Sequence, residues 1–320
     1  MTRWLERRAA AVERHWFAPA STRDLGIVRA LVFACLLFSL LDVLPTGVAL
    51  SHADQTLFKP LPALKVMLLP LGWGARPSSG LILAIGWTAA AAALLAALGW
   101  FSRITTVVAT LGTITIIAHN YSYREVNHSL ALLVLIAAAI SAAPSGMAFS
   151  LDAVRRRRRG LPPAPAMSPE ARWPIRIGQW LFVIAYLSAA SSKLVHGGIA
   201  WLNGETLAYY FMQDGIRFHS TVGLALVGWP RLAQLLSIGA LGFELTFMVA
   251  VLKPRITWLY LAIGVVMHTT IYVVQRAPFF QWLVLYVVFI EALRQFGPLA
   301  IATRPAAGVQ PGRAGAVVPE

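Results

Sequence analysis

Apolar residues gather in eight stretches, at about 25–45, 80–100, 104–119, 128–146, 177–195, 232–252, 256–275 and 280–294, separated by short polar connections. Each approaches the roughly 20 residues that a helix needs to cross hydrocarbon, the third and eighth being the shortest. WFSRI around Arg103 and LKPRI around Pro254 are tight connections that mark helical hairpins. The pattern predicts an all-α polytopic membrane bundle of about eight transmembrane helices with both termini cytoplasmic. Ahead of it, residues 1–20 place Trp4, Val12 and Trp16 at multiples of four among arginines, the spacing of an amphipathic helix lying on the inner membrane surface. Residues 152–175 combine an arginine run with prolines and read as a mobile cytoplasmic linker between two four-span halves. The Gly-, Pro- and Ala-rich tail, 296–320, reads as disordered.

Composition agrees with that reading. Of 320 residues 58% are hydrophobic and 12% charged, with a mean hydropathy of +0.67. A soluble domain carries about 25% charged residues. The net charge of +14 therefore has to be read against a membrane. With eight spans, 18 of the 27 Lys and Arg residues fall on the inner side and 7 on the outer, leaving Arg29 and Lys193 within spans. This is the positive-inside bias, anchored by the 155–159 arginine run, and it sets the orientation of the multi-pass protein. Removing one early span would put that run outside. The run suits anionic lipid better than nucleic acid, so membrane lipid is the expected partner and no nucleic acid is expected. The single Cys35 excludes a disulfide framework and a Cys-based metal site, and no metal is predicted. No short apolar core with a cleavage site opens the chain, so no removable signal peptide is expected. HExxH, GxSxG, P-loop and dinucleotide motifs are missing.

The ionisable groups inside the apolar stretches carry the candidate chemistry. Lys193 ends the fifth stretch on the outer side, where it either snorkels to headgroups or serves a site. His128 opens the fourth, just after Asn127, which could cap that helix; the alternative is an ordinary interfacial histidine. His268 lies about seven residues inside the outer end of the seventh, roughly 10 Å deep, as a packing or a functional histidine. Glu244, mid-way along the sixth, has to be protonated, paired or beside water. Arg29 is about one turn from the inner end, where snorkelling suffices. A buried Lys can supply a neutral amine as a base near neutral pH, which a nearby carboxylate would oppose.

Several stretches resemble the vitamin K-dependent gamma-carboxylase family and its bacterial relatives, the horizontally transferred transmembrane (HTTM) proteins. STRDLGIVRALVFACLLFSLLD looks like the family's first span, and FKPLPALKVMLLPLGW with AALGWFSRIT is similar to its re-entry and second span. NHSLALLVLIAAAISAAPSGMAFSLDA resembles an Asn-His opening followed by Ser-x-Asp, and RIGQWLFVIAYLSAASSKLVHGGIAWLNGETL resembles the helix ending in Lys-Leu, then a Trp and a Gly. A looser match follows His268, and the HTTM-like domain is expected over 21–295. The likeness to the bacterial relatives implies the cytoplasmic (inner) membrane.

The resemblance implies that Lys193 is the base that deprotonates a reduced quinone, vitamin K-like, and that His128 assists. His268 is a third catalytic candidate, with Asn127, Trp201 and Glu244 expected to line the ligand site. The chain departs from the family in having one lysine where the family has a pair, Ser192 preceding Lys193, and a longer gap to Trp201. Only about 25 residues follow the last span, where the vertebrate enzyme has a large lumenal region. The expected function is an outward-facing polar pocket that binds a lipid-soluble quinol, with redox-coupled or carboxylase-like chemistry. The alternative is a non-enzymatic membrane partner, maturation or immunity factor for a secreted peptide, and a transporter ranks third.

Overall fold

Ser21 starts the first long helix: its hydroxyl accepts a hydrogen bond from the Asp24 amide, satisfying a donor that the first turn would otherwise leave open. In the computed structural model, which describes residues 2–68, 76–123 and 128–297, this helix is α2, Thr22–Leu50. It is preceded by α1, Thr2–Phe17, and by a two-residue strand β1, Ala20–Ser21. Leu25, Val28, Val32 and Leu36 recur every three or four residues along α2 and are fully buried. The short α3, Pro62–Met67, leads to α4, Ser79–Leu98, and α5, Ser102–Tyr121. These two pack closely: Ala89, Ala93 and Ala96 of α4 and Thr106, Ala109 and Thr113 of α5 are buried small residues, and a Cβ on Gly112 would run into Ala89.

After α6, Ala131–Ser141, and α7, Leu151–Arg158, the strand β2, Met167–Ser168, pairs antiparallel with β1. The second half holds α8, Arg172–Gly197, then α9, Glu205–Arg217, and α10, Thr221–Val227. It continues with α11, Pro230–Thr246, α12, Met248–Leu252, and α13, Thr257–Gln275. The described chain closes with α14, Phe280–Leu285, and α15, Ile290–Phe296.

Six described helical segments are long and apolar enough to cross a membrane: Thr22–Leu50, Ser79–Leu98, Ser102–Tyr121, Pro169–Asn203, Pro230–Leu252 and Pro254–Gln275. The stretches expected at 128–146 and 280–294 are helical but shorter. The first is a 3₁₀ turn, His128–Leu130, followed by the eleven residues of α6. The second is α14 and α15 joined by a 3₁₀ turn at Tyr286–Phe289. Both run through the largest apolar cluster, where Leu133, Ile136, Leu285 and Val288 are fully buried. Each turns a buried face toward the other helices and keeps an exposed apolar position on the opposite side, Leu135 on α6 and Phe280 on α14.

One end of the bundle is laced by polar groups, and there Arg29 departs from expectation. It does not snorkel: it is fully buried and donates to the carbonyl oxygens of Phe149 (2.7 Å), Ala97 and Ser145 (3.4 Å each). It thereby ties α2 to the end of α4 and to the turn after α6. Gly99 closes α4 in the left-handed region at φ 72°, and a Cβ there would run into the Arg29 guanidinium. Asp152 accepts from the Phe101 and Ser102 amides at 2.9 and 2.8 Å, fastening α7 to the start of α5. Arg294 pairs with Asp24 at 2.5 Å and Arg172 with Glu291 at 3.3 Å. The 152–175 segment, expected to be mobile, is held at both ends. It begins in α7, and its far end is fixed by the β1–β2 pair and by the Thr22 hydroxyl donating to the Pro165 carbonyl at 2.9 Å.

α1 docks on α8 through Trp180 Nε1, which donates to His15 Nε2 at 2.9 Å. Burial first, then Arg176 and Arg172, hold the His15 imidazole below its usual range, as its role of acceptor requires. Of the expected tail, residues beyond 297 lie outside the described residues.

Candidate functional site

Lys193 stands one turn from the end of α8, and the chain then folds back on it. Gly198 and Gly204, at φ 58° and 83°, bound a 3₁₀ turn, Gly198–Asn203, that carries Trp201. Gly204 lies so close to the backbone of Ala233 and Gln234 that a Cβ would collide with it, and this contact fixes the turn against α11. Glu244 projects from α11 toward the same point. Lys193 Nζ donates to both carboxylate oxygens of Glu244, at 2.6 and 2.8 Å. The lysine side chain keeps 21% of its surface exposed and the glutamate 9%, so the pair opens on the lysine side. The ammonium also lies 5.5 Å from the Trp201 ring centre, within the range of a cation–π contact.

Two buried polar atoms on the same elements have no hydrogen-bond partner among the described residues. They are Trp201 Nε1 and Ser237 Oγ, the latter two turns before Glu244 on α11. An indole N–H can only donate, so Trp201 presents a donor toward any oxygen acceptor that comes beside it. Lys193, Glu244 and Trp201, three of the six residues singled out from sequence, are thus brought together.

His268 belongs to a second polar layer. It is 5% exposed, and its Nε2 is bonded to Tyr186 Oη at 2.9 Å; Tyr186 Oη in turn is 2.6 Å from Tyr286 Oη. Tyr186 precedes Lys193 by two turns of α8, so the layers share a helix face and are separated by roughly 10 Å along it. Rings of Phe182, Phe243, Phe247 and Trp282 enclose Tyr186 with centroids 4.6–6.1 Å away. Trp282 Nε1 donates to the Ser129 carbonyl at 3.2 Å, joining α14 to the turn that His128 opens. Asn127 and the side chain of His128 lie outside the described residues.

Sequence reasoning did not single out Tyr186, Tyr286 or Ser237. A signal was available for Tyr186 and Ser237, each seven residues before an intramembrane charge and so on the same helix face. Among the described residues no three His, Cys, Asp or Glu side chains gather as a metal site would require. Two open clefts lie elsewhere, one between α2 and α4 and one beside α7.

In comparison with known proteins, the family model described as the HTTM domain aligns with residues 17–292. No curated protein and no solved structure matches the chain.

Proposed function

The chain belongs to the HTTM family, and from that premise we propose an integral membrane protein whose Lys193–Glu244–Trp201 site faces outward and takes a lipid-soluble quinol. In this reading the chain makes eight passes of the cytoplasmic membrane, with the two short helical segments completing the count and both termini inside. Arg103, Arg172, Arg176, Lys253, Arg255 and Arg294 then share the inner end, and Lys193 ends α8 at the outer one.

The observation that carries the reading is the two-pronged ion pair between α8 and α11. A carboxylate opposes the free amine that a base requires, so the working unit is the pair. Lys193 takes the ligand's proton as its own passes to Glu244: one ligand O–H bond breaks, one carboxyl O–H bond forms, and the ammonium remains to face the oxyanion. The unpartnered Trp201 indole fits an oxygen acceptor held beside it. A reduced quinone bound there would give up two electrons and two protons, the electrons passing to dioxygen; the protein's own groups hold the ligand and move the proton.

The test is binding and oxygen-dependent oxidation of a reduced naphthoquinone by the protein in nanodiscs. The double variant Lys193→Met/Glu244→Leu should lose both while keeping the parent's elution profile. Unchanged binding and turnover would remove the proposal.

A second reading, a partner for a secreted peptide, is favoured by the exposed stripe Tyr209, Met212 and Ile216 on α9. It predicts that peptide capture depends on that stripe and survives the double variant.

A further inference from the structure

A cleft of about 280 Å³ opens where α4 ends, lined by Trp100, Leu151, Val154, Arg155 and Arg158. It sits at the level where a span leaves hydrocarbon, because Trp100 follows the last residue of the apolar α4 by two positions. Residues 151, 154, 155 and 158 fall on one face of α7, whereas Arg156 and Arg157 point around the helix away from it. The face is divided by chemistry: Leu151 and Val154 are 43% and 45% exposed beside the indole of Trp100, and the two guanidinium groups border them.

The cleft walls are held by the protein itself. Asp152 accepts from the Phe101 and Ser102 amides, the Asp152 amide donates to the Gly99 carbonyl at 2.9 Å, and the Ser150 hydroxyl caps α7. Arg29 holds the Phe149 carbonyl from beneath. Arg155 stacks over Phe101 with its guanidinium 5.0 Å from the ring centre, which orients the charge at the cleft.

We propose that this cleft is a binding site for one anionic phospholipid, with the phosphate on Arg155 and Arg158 and the upper acyl chain on Trp100, Leu151 and Val154. The pairing of two cations with an exposed apolar floor at the membrane boundary matches both halves of such a molecule. A soluble phosphate ester would leave the apolar floor facing water, and a zwitterionic lipid would leave the two arginines without a net counter-charge.

Native mass spectrometry of the full chain released from phosphatidylglycerol or phosphatidylcholine nanodiscs tests this. One phosphatidylglycerol should stay bound at energies that strip phosphatidylcholine. Arg155→Gln/Arg158→Gln should weaken retention by roughly tenfold or more, since each basic residue near an anionic surface contributes about a factor of five. Arg156→Gln/Arg157→Gln removes the same charge off the cleft and should retain the lipid, which also controls for folding. Leu151→Ser/Val154→Ser should weaken retention with the charges intact. Equal loss from the two arginine pairs, no loss from the serine pair, or displacement of the lipid by inorganic phosphate would each overturn the site.

Discussion

Lys193→Met and Glu244→Leu, made singly and together, probe the pair as a unit of stability. With Nζ at 2.6 and 2.8 Å from the two oxygens, the Coulomb attraction is about 6 kcal/mol at an effective dielectric of roughly 20, before desolvation is subtracted. The exposures make the two single changes unequal. Lys193→Met strands a carboxylate that is 9% exposed and should cost about 3–5 kcal/mol. Glu244→Leu strands an ammonium on a flexible stem that is 21% exposed, so it can turn to water and the loss is smaller. The double variant leaves no charge behind and should come within about 1 kcal/mol of the parent. Reversible unfolding in mixed micelles of rising SDS content, followed by tryptophan fluorescence, measures all four forms. If the two single effects simply add, to within about 0.5 kcal/mol, the groups are not coupled and the reasoning fails.

Gly99→Ala forces a Cβ into the left-handed region and against Arg29; strain there alone costs about 1–2 kcal/mol, so a total near 3 kcal/mol is expected by the same assay. Acidification should loosen α1. His15 docks neutral with its folded pKa depressed, so its contribution is complete above the ordinary imidazole value of about 6.5 and is lost as pH falls through the lower folded value. A spin label at Val12, which is exposed, should gain mobility between pH 7.5 and 5 in the parent and show no such transition in His15→Gln. Sidedness is open to direct labelling. The native Cys35 is buried, so an impermeant maleimide on sealed cells should label Ile199→Cys from outside and Arg157→Cys only after permeabilisation.

Much of the fold was legible because hydrocarbon is a demanding solvent. Long apolar stretches mark helices whatever they pack against, and six reappear as helices of spanning length. Hydropathy reports apolar surroundings but not how the backbone is divided into helices, so α6 and the α14–α15 segment are shorter helices than their apolar stretches suggest. The same blindness explains Arg29: its depth was readable, but the carbonyls of Ala97, Ser145 and Phe149 that receive it come from segments 68 to 120 residues away. Lys193 and Glu244 announced themselves by their cost in an apolar run. Their contact was not readable, because it depends on how α8 and α11 are rotated toward each other. His268 finds phenols instead of the amine, since Tyr186 and Tyr286 reach its level and Lys193 stands two turns further along α8.

Infrared difference spectroscopy on the protein in nanodiscs, recorded as a reduced naphthoquinone is added, locates the proton that the proposed chemistry moves. The account predicts a new protonated-carboxyl band with matching loss of carboxylate absorption, present in the parent and missing in Glu244→Gln. A reduced naphthoquinone that binds with Glu244 unchanged in the spectrum would contradict it.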